Sequence, residues 1–230
     1  MSNILLFGST GDTGTPLLEQ ALDAGHTVRG AERDWPRGFI EHERFEKREA
    51  DLLDGDLAHL MDGIDVVISA VGLGRDPQTL INPPPLYTEG AVNMVEAMRK
   101  TGKKRLVVIS AAFADPKATV PLWFKGATAA LDRIFRQMGE MERVLRVCDD
   151  IDWTAVRPGW LLNRKLTGDF EVSLDDMPRN TLRTRRPDLA QFMLECALED
   201  KHVRERPFIA RKEDVKLETP PALIEELWPF

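Results

Sequence analysis

Short, continuously apolar runs alternate with segments of helical period along almost the whole chain. The clearest runs are Ile4–Phe7, "IDVVISAVG" (64–72), "RLVVISAAF" (105–113) and "IDWTAVRPGWLL" (151–162). Their apolar residues are consecutive, not every second position, so both faces of each strand must be covered. Between them, residues 16–24 place Leu17, Leu18, Ala21 and Leu22 on one helical face. Residues 86–100 carry Val92, Met94, Val95 and Met98 at helical spacing. Residues 127–147 carry Leu131, Ile134, Phe135, Met138, Met141, Val144 and Leu145, and residues 187–199 form a last helical segment. Weaker strand signals lie in "HTVRGA", "RFEKREADL" and "RPFIA", and "LAHLMDG" reads as a short helix closed by Gly63. Alternating strands and helices with two-sided strands predict a doubly wound α/β fold, a parallel sheet with helices on both faces. No linker, repeat or low-complexity segment divides the chain, so residues 1–230 are expected to form a single domain. "NPPPL" (82–86) reads as a stiff loop before a helix.

Charge narrows the partners. The net charge is −7, which argues against nucleic acid, because phosphate backbones need a basic surface. The densest basic stretch is "RNTLRTRR" (179–186). Cys148 and Cys196 are too few for a disulfide framework and sit among apolar residues, as buried free thiols do. His26, His42, His59 and His202 lack metal-ligand spacing, so no metal is expected. No run approaches transmembrane length and no signal peptide is evident, so a cytoplasmic protein without membrane partners is expected. The tail "PPALIEELWPF" is apolar enough to pack on the body or on a second subunit, so a homo-oligomer is possible.

Gly8, Ser9, Thr10, Gly11, Asp12, Thr13 and Gly14 stand between the first strand and the first helix. The spacing is GxxGxxG. Gly8 permits a tight turn, Gly11 lets backbone approach a pyrophosphate, and Gly14 allows close helix packing. The helix amino end offers free N–H groups and a positive dipole to phosphate. Asp12 contributes backbone there, but its carboxylate would repel phosphate and should point away. An acidic ribose ligand is expected some 20 residues farther on. "RGAERD" offers Glu32, suited to a ribose 2′-hydroxyl and hence NAD, and Arg33, suited to a 2′-phosphate and hence NADP. Arg29 reads better as surface charge.

These segments, in this order, resemble the atypical short-chain dehydrogenase/reductase group, the Rossmann-like NAD(P)H-binding proteins of the NmrA-like and flavin- or biliverdin-reductase-like kind. "GSTGDTG" is similar to the group's glycine loop and "VRGAERD" to its second strand. "EADLLDGDLAHLMDGIDVVISAVG", "YTEGAVNMVEAMRKTGKKRLVVISA", "MERVLRVCDDIDWTAVRPGWL" and "RPDLAQFMLECALED" follow, so the resemblance runs from Asn3 to about Ala210. It implies that Arg33 meets the NADP 2′-phosphate, with NADP(H) preferred and NAD(H) possible. It implies that Asp51 and Leu52 lie near the adenine, and that Ala70, Val71 and Gly72 line the cofactor. It also puts Pro158 beside the nicotinamide.

The wider superfamily catalyses with Tyr-x-x-x-Lys on the long helix after the serine strand. Here the single tyrosine, Tyr87, is followed four residues on by Ala91. The matching Tyr and Lys positions fall near Ile134 and Met138, both apolar. What remains is hydride transfer to an acceptor that delocalises charge, such as a flavin, a quinone or another conjugated small molecule, with the proton drawn from water. Ser110, at the carboxyl end of a strand, could hydrogen-bond an acceptor oxygen or simply cap the strand end. The loops 111–127 and 159–186 are expected to form a small substrate region. Trp123, Phe124 and Trp160 would be its aromatic walls, and Lys125 reads better as solvated. Arg157 could serve a structural ion pair, and Glu142 and Arg146 an i,i+4 pair. A non-catalytic NADP(H)-binding sensor is the alternative function. An epimerase of nucleotide sugars is disfavoured without the tyrosine.

Overall fold

In the computed structural model the first strand, β1 (Asn3–Phe7), explains its own unbroken apolar run. Leu5 and Phe7 enter a core on one side of the sheet, and Ile4 and Leu6 enter a second core on the other. All four are at most 1% exposed. The structure describes residues 1–74, 76–115, 126, 128–178 and 181–219.

Strands β2 (Thr27–Glu32), β3 (Phe45–Glu49), β4 (Val66–Ser69), β5 (Arg105–Ile109) and β6 (Asp152–Pro158) follow. The later strands are β7 (Trp160–Leu162), β8 (Glu171–Ser173), β9 (Arg183–Arg185) and β10 (Phe208–Ala210). The main sheet has the order β3-β2-β1-β4-β5-β6-β10-β8. Every pairing in it is parallel except that of β8 with β10. Strands β7 and β9 form a separate parallel pair. The helices are α1 (Gly14–Asp23), α2 (Pro77–Ile81), α3 (Thr88–Thr101), α4 (Asp132–Arg146) and α5 (Arg186–Leu198). The α3 and α4 side chains fill one core, and those of α1 and α5 fill the other. The doubly wound fold is therefore the expected one. Its order reverses between β1 and β4, the point at which open α/β sheets bind ligands.

Several details depart from the sequence reading. The segments β8 and β9 hold three residues each, too few to show a period. Residues 57–60 form a single 3-10 turn, with the Asp56 side chain accepting from the Ala58 N–H. Asp76 likewise caps the unexpected α2 by accepting from Thr79 N. Val92, expected on the buried face of α3, is 37% exposed. The described part of the basic stretch, residues 181–186, is not a free surface patch. Arg183 is fully buried and donates to the Leu217 carbonyl, and Arg185 grips Glu213 through Nε at 2.6 Å and Nη2 at 2.9 Å. Both cysteines are buried free thiols, and burial pushes the Cys196 thiol up to about 12. Residues 220–230, the whole of the apolar tail, lie outside the described residues.

Candidate functional site

Steric demands inside the glycine loop separate its three glycines. Gly8 has φ +81°, and a Cβ there would stand 2.8 Å from the carbonyl carbon of Ala70, just past the end of β4. A Cβ on Gly14 would fall 1.8 Å from the Gly8 oxygen. These two let the loop close on itself and on the sheet. Gly11 is different. A Cβ there would meet only the Gly8 oxygen, at 3.4 Å, and would project into open space.

Polar groups then lock the turn. Gly11 N–H donates to Gly8 O, and Thr15 N–H to Gly11 O. The Ser9 hydroxyl, fully buried, donates to Glu32 Oε1 at 2.8 Å, and Thr10 N–H donates to the same oxygen at 3.0 Å. Glu32 thus braces the loop. Arg33 is exposed just past the end of β2. Arg29 is structural, donating to Glu46 at 2.5 Å and to the carbonyls of Leu60 and Asp62.

A cavity of about 530 Å³ opens above the carboxyl ends of β1, β4, β5 and β6. It brings together Gly11, Asp12 and Thr13, then Ala70, Val71 and Gly72, then Ser110, Pro158 and Trp160. Gly8, Ser9, Thr10 and Gly14 lie beneath its rim as the loop's support. Arg33, Asp51 and Leu52 are not among its lining residues. Asp51 accepts from Leu53 N, while Leu52 is buried against Gly90 and takes a hydrogen bond from Asn93 on its carbonyl. Trp123, Phe124 and Lys125 lie outside the described residues.

The far wall is apolar. Phe113 sits 5.5 Å from Phe135 and 6.4 Å from Trp160, centroid to centroid. Leu131, Ile134 and Met138 complete it with apolar side chains. Phe113 and Phe135 were readable as aromatics but not as cavity residues, since only the α4 and loop placement brings them together. Tyr87 also lines the cavity. Burial pushes its phenol up to about 12, against a backbone hydrogen bond with Leu73 that acts the other way.

Beneath this wall lies a buried charge cluster that spacing did not reveal. The Ser110 hydroxyl donates to Glu142 Oε1 at 2.7 Å. Arg157 donates to the same carboxylate through Nε at 2.8 Å and Nη2 at 2.5 Å, and to Asp115 through Nη1 at 2.8 Å. Burial opposes the Arg157 charge, but Glu142 and Asp115 outweigh it and hold the guanidinium above its usual range. Glu142 therefore pairs with β6 from the buried face of α4, and the expected Glu142–Arg146 pair does not form; Arg157 serves the structural ion pair. With its single hydrogen committed to Glu142, Ser110 can offer an acceptor in the cavity only its lone pairs.

Among the described residues, no group of three or more His, Cys, Asp or Glu side chains stands close enough to hold a metal. None of their helices is long and apolar enough to cross a membrane.

The NAD(P)H-binding family model matches residues 8–200. The UPF0659 protein C216.03 of Schizosaccharomyces pombe is 27% identical over 223 residues, covering 88% of this chain and 87% of that protein. The oxidoreductase ylbE from Lactococcus lactis superposes with a TM-score of 0.76 at 21% identity, covering 99% of this chain and 97% of its own. A short-chain dehydrogenase/reductase from Veillonella parvula, in complex with NADP, superposes with a TM-score of 0.74 at 17% identity, covering 91% and 94%. With a glycine turn between β1 and α1, a cavity at the reversal of strand order and a family match over most of its length, the chain belongs to the NAD(P)H-binding family.

Proposed function

We propose that the protein is an NAD(P)H-dependent reductase of a flat, conjugated small molecule, flavin-like or quinone-like. One observation carries this reading: a single cavity has an open glycine turn at one end and an aromatic, acid-poor wall at the other. The pyrophosphate would rest on the N–H groups of Asp12 and Thr13 at the amino end of α1, with Gly11 leaving room above the turn, and the nicotinamide would reach Pro158 and Ser110. The cofactor supplies hydride. The chain's own residues supply binding, a dry face and stacking surface for a planar acceptor. A phenol held near 12 by burial is a poor acid at neutral pH, which favours an acceptor whose reduced form takes its proton from water. The Lactococcus lactis neighbour is an oxidoreductase and the Veillonella parvula one was solved with NADP, and both likenesses support the reading.

NADP(H) is the preferred cofactor in this proposal and NAD(H) the second. Glu32 is taken up by the glycine loop, whereas Arg33 is exposed at the end of β2, where a 2′-phosphate would lie. The test is oxidation of NADPH and NADH, followed at 340 nm, by purified protein with flavins and quinones. Turnover with NADPH, and loss of its advantage over NADH in Arg33→Ala, is the expected result. The apolar Ile134 and Met138 favour one alternative, a redox sensor without catalysis. Tight NADPH binding with no turnover across the acceptor panel would select it.

A further inference from the structure

The glycine loop carries a carboxylate where the ligand it is shaped for is anionic, and the fold answers this from a distant segment. Helices α1 and α5 pack side by side, with Gln20 Nε2 donating to the Pro187 carbonyl at 3.0 Å. Arg186 lines the cavity together with Gly11, Asp12 and Thr13. Its Nη1 donates to Asn163 Oδ1 at 2.8 Å, and its Nη2 lies 3.4 Å from Asp12 Oδ2. The Arg186 side chain is 10% exposed and that of Asp12 is 67% exposed.

This geometry is a competition. A pyrophosphate on the loop brings a planar-fork guanidinium two negative charges and several acceptor oxygens, where Asp12 offers one charge in solvent. The ion pair to be broken is weak, because Asp12 is mostly hydrated. The carboxylate then left behind can turn to water.

We propose that Arg186 is a pyrophosphate-binding residue that Asp12 holds in reserve. The guanidinium exchanges the Asp12 carboxylate for the dinucleotide, and Asp12 thereby sets how tightly the cofactor binds. The proposal rests on the dinucleotide reading of the cavity and adds to it an internal anion that competes with the ligand.

A double-mutant cycle tests it, with NADPH titrated by its own fluorescence into the wild-type protein, Asp12→Asn, Arg186→Met and the double variant. Asp12→Asn should tighten binding about threefold to fivefold. Arg186→Met should weaken it about tenfold or more. The decisive quantity is the gain from Asp12→Asn with and without Arg186. If Arg186 leaves Asp12 for the ligand, the gain includes the broken pair and shrinks to less than about twofold in the Arg186→Met background. If Asp12 acts only by repelling phosphate through space, the gain is equal in both backgrounds, and the proposal is overturned. Should Arg186→Met melt early, the same cycle on Arg186→Lys, which keeps a cation but loses the fork, gives the same contrast at smaller size. Failure of the wild-type protein to bind NADPH would overturn the dinucleotide reading itself. Wild-type binding that neither variant alters would overturn this inference alone.

Discussion

The rim of the cavity at Gly11, Asp12 and Thr13 is made of backbone, whereas the opposite wall, from Ser110 to Pro158 and Trp160, is made of side chains standing on a buried ion cluster. The first wall holds its shape because no Cβ intrudes at Gly8 and Gly14. The second holds its shape because Glu142 is satisfied by three hydrogen bonds from Ser110 and Arg157. A backbone wall tolerates no added atom. A charged wall tolerates no missing partner. The same contrast separates what each wall can do. In the proposed function the backbone rim would offer N–H groups to phosphate, while the aromatic wall would discriminate by shape.

The contrast is broken most severely from the charged side. Arg157→Met leaves Glu142 buried without its bidentate partner and should cost about 3–5 kcal/mol in chemical denaturation. Adding Glu142→Gln should return much of that loss, because the buried charge, then left with only Arg206 at 3.6 Å, is gone. A double variant as unstable as the single one would show that packing, not charge, is at stake. Gly14→Ala attacks the backbone side and should cost about 3 kcal/mol, since the new carbon has no space beside the Gly8 oxygen. Ser110→Ala should be milder, about 1.5 kcal/mol, for one hydrogen bond to a carboxylate that keeps its arginine. If turnover falls while the melting temperature does not move, the Ser110 hydrogen serves the acceptor instead of Glu142.

The smallest effect should come from acid. Glu213 is held below its ordinary value of 4.5, first by the hydrogen bond from Arg185 and then by Arg211. A carboxylate depressed in the folded state contributes stability above its unfolded value, and that contribution is lost as pH falls below about 4.5 through the lower folded value. Glu213→Gln should lower stability at pH 7 by about 1 kcal/mol or less and flatten the profile between about pH 5 and pH 3, so that the variant and the wild-type protein converge in acid.

The two walls also differed in how far the sequence revealed them. Gly8, Gly11 and Gly14 lie within seven residues, between a strand and a helix, so local spacing carried the turn and the alternating apolar runs carried the fold. The partners of the other wall are far apart in the chain. Ser110 and Glu142 are separated by 32 residues, and Glu142 and Arg157 by 15. One signal was present: Glu142 falls on the same helical face as Ile134, Met138 and Leu145, and Arg157 lies in a strand buried on both sides. Opposite charges forced into one core must pair. Reading Glu142 against Arg146 followed the helix and missed the sheet. Likewise, Glu32 could be placed at the end of β2 by spacing, but its bond to Ser9 depends on how the loop folds back.

If a dinucleotide rests on the open face of the glycine turn, Gly11→Val should block it without unfolding the protein. A side chain there has room in the fold, meeting the Gly8 oxygen at 3.4 Å, but it occupies the space above the turn. Gly11→Val should melt within about 2 °C of the wild-type protein and lose NADPH binding by at least about a hundredfold. A folded Gly11→Val protein that binds NADPH as the wild type does would contradict that placement.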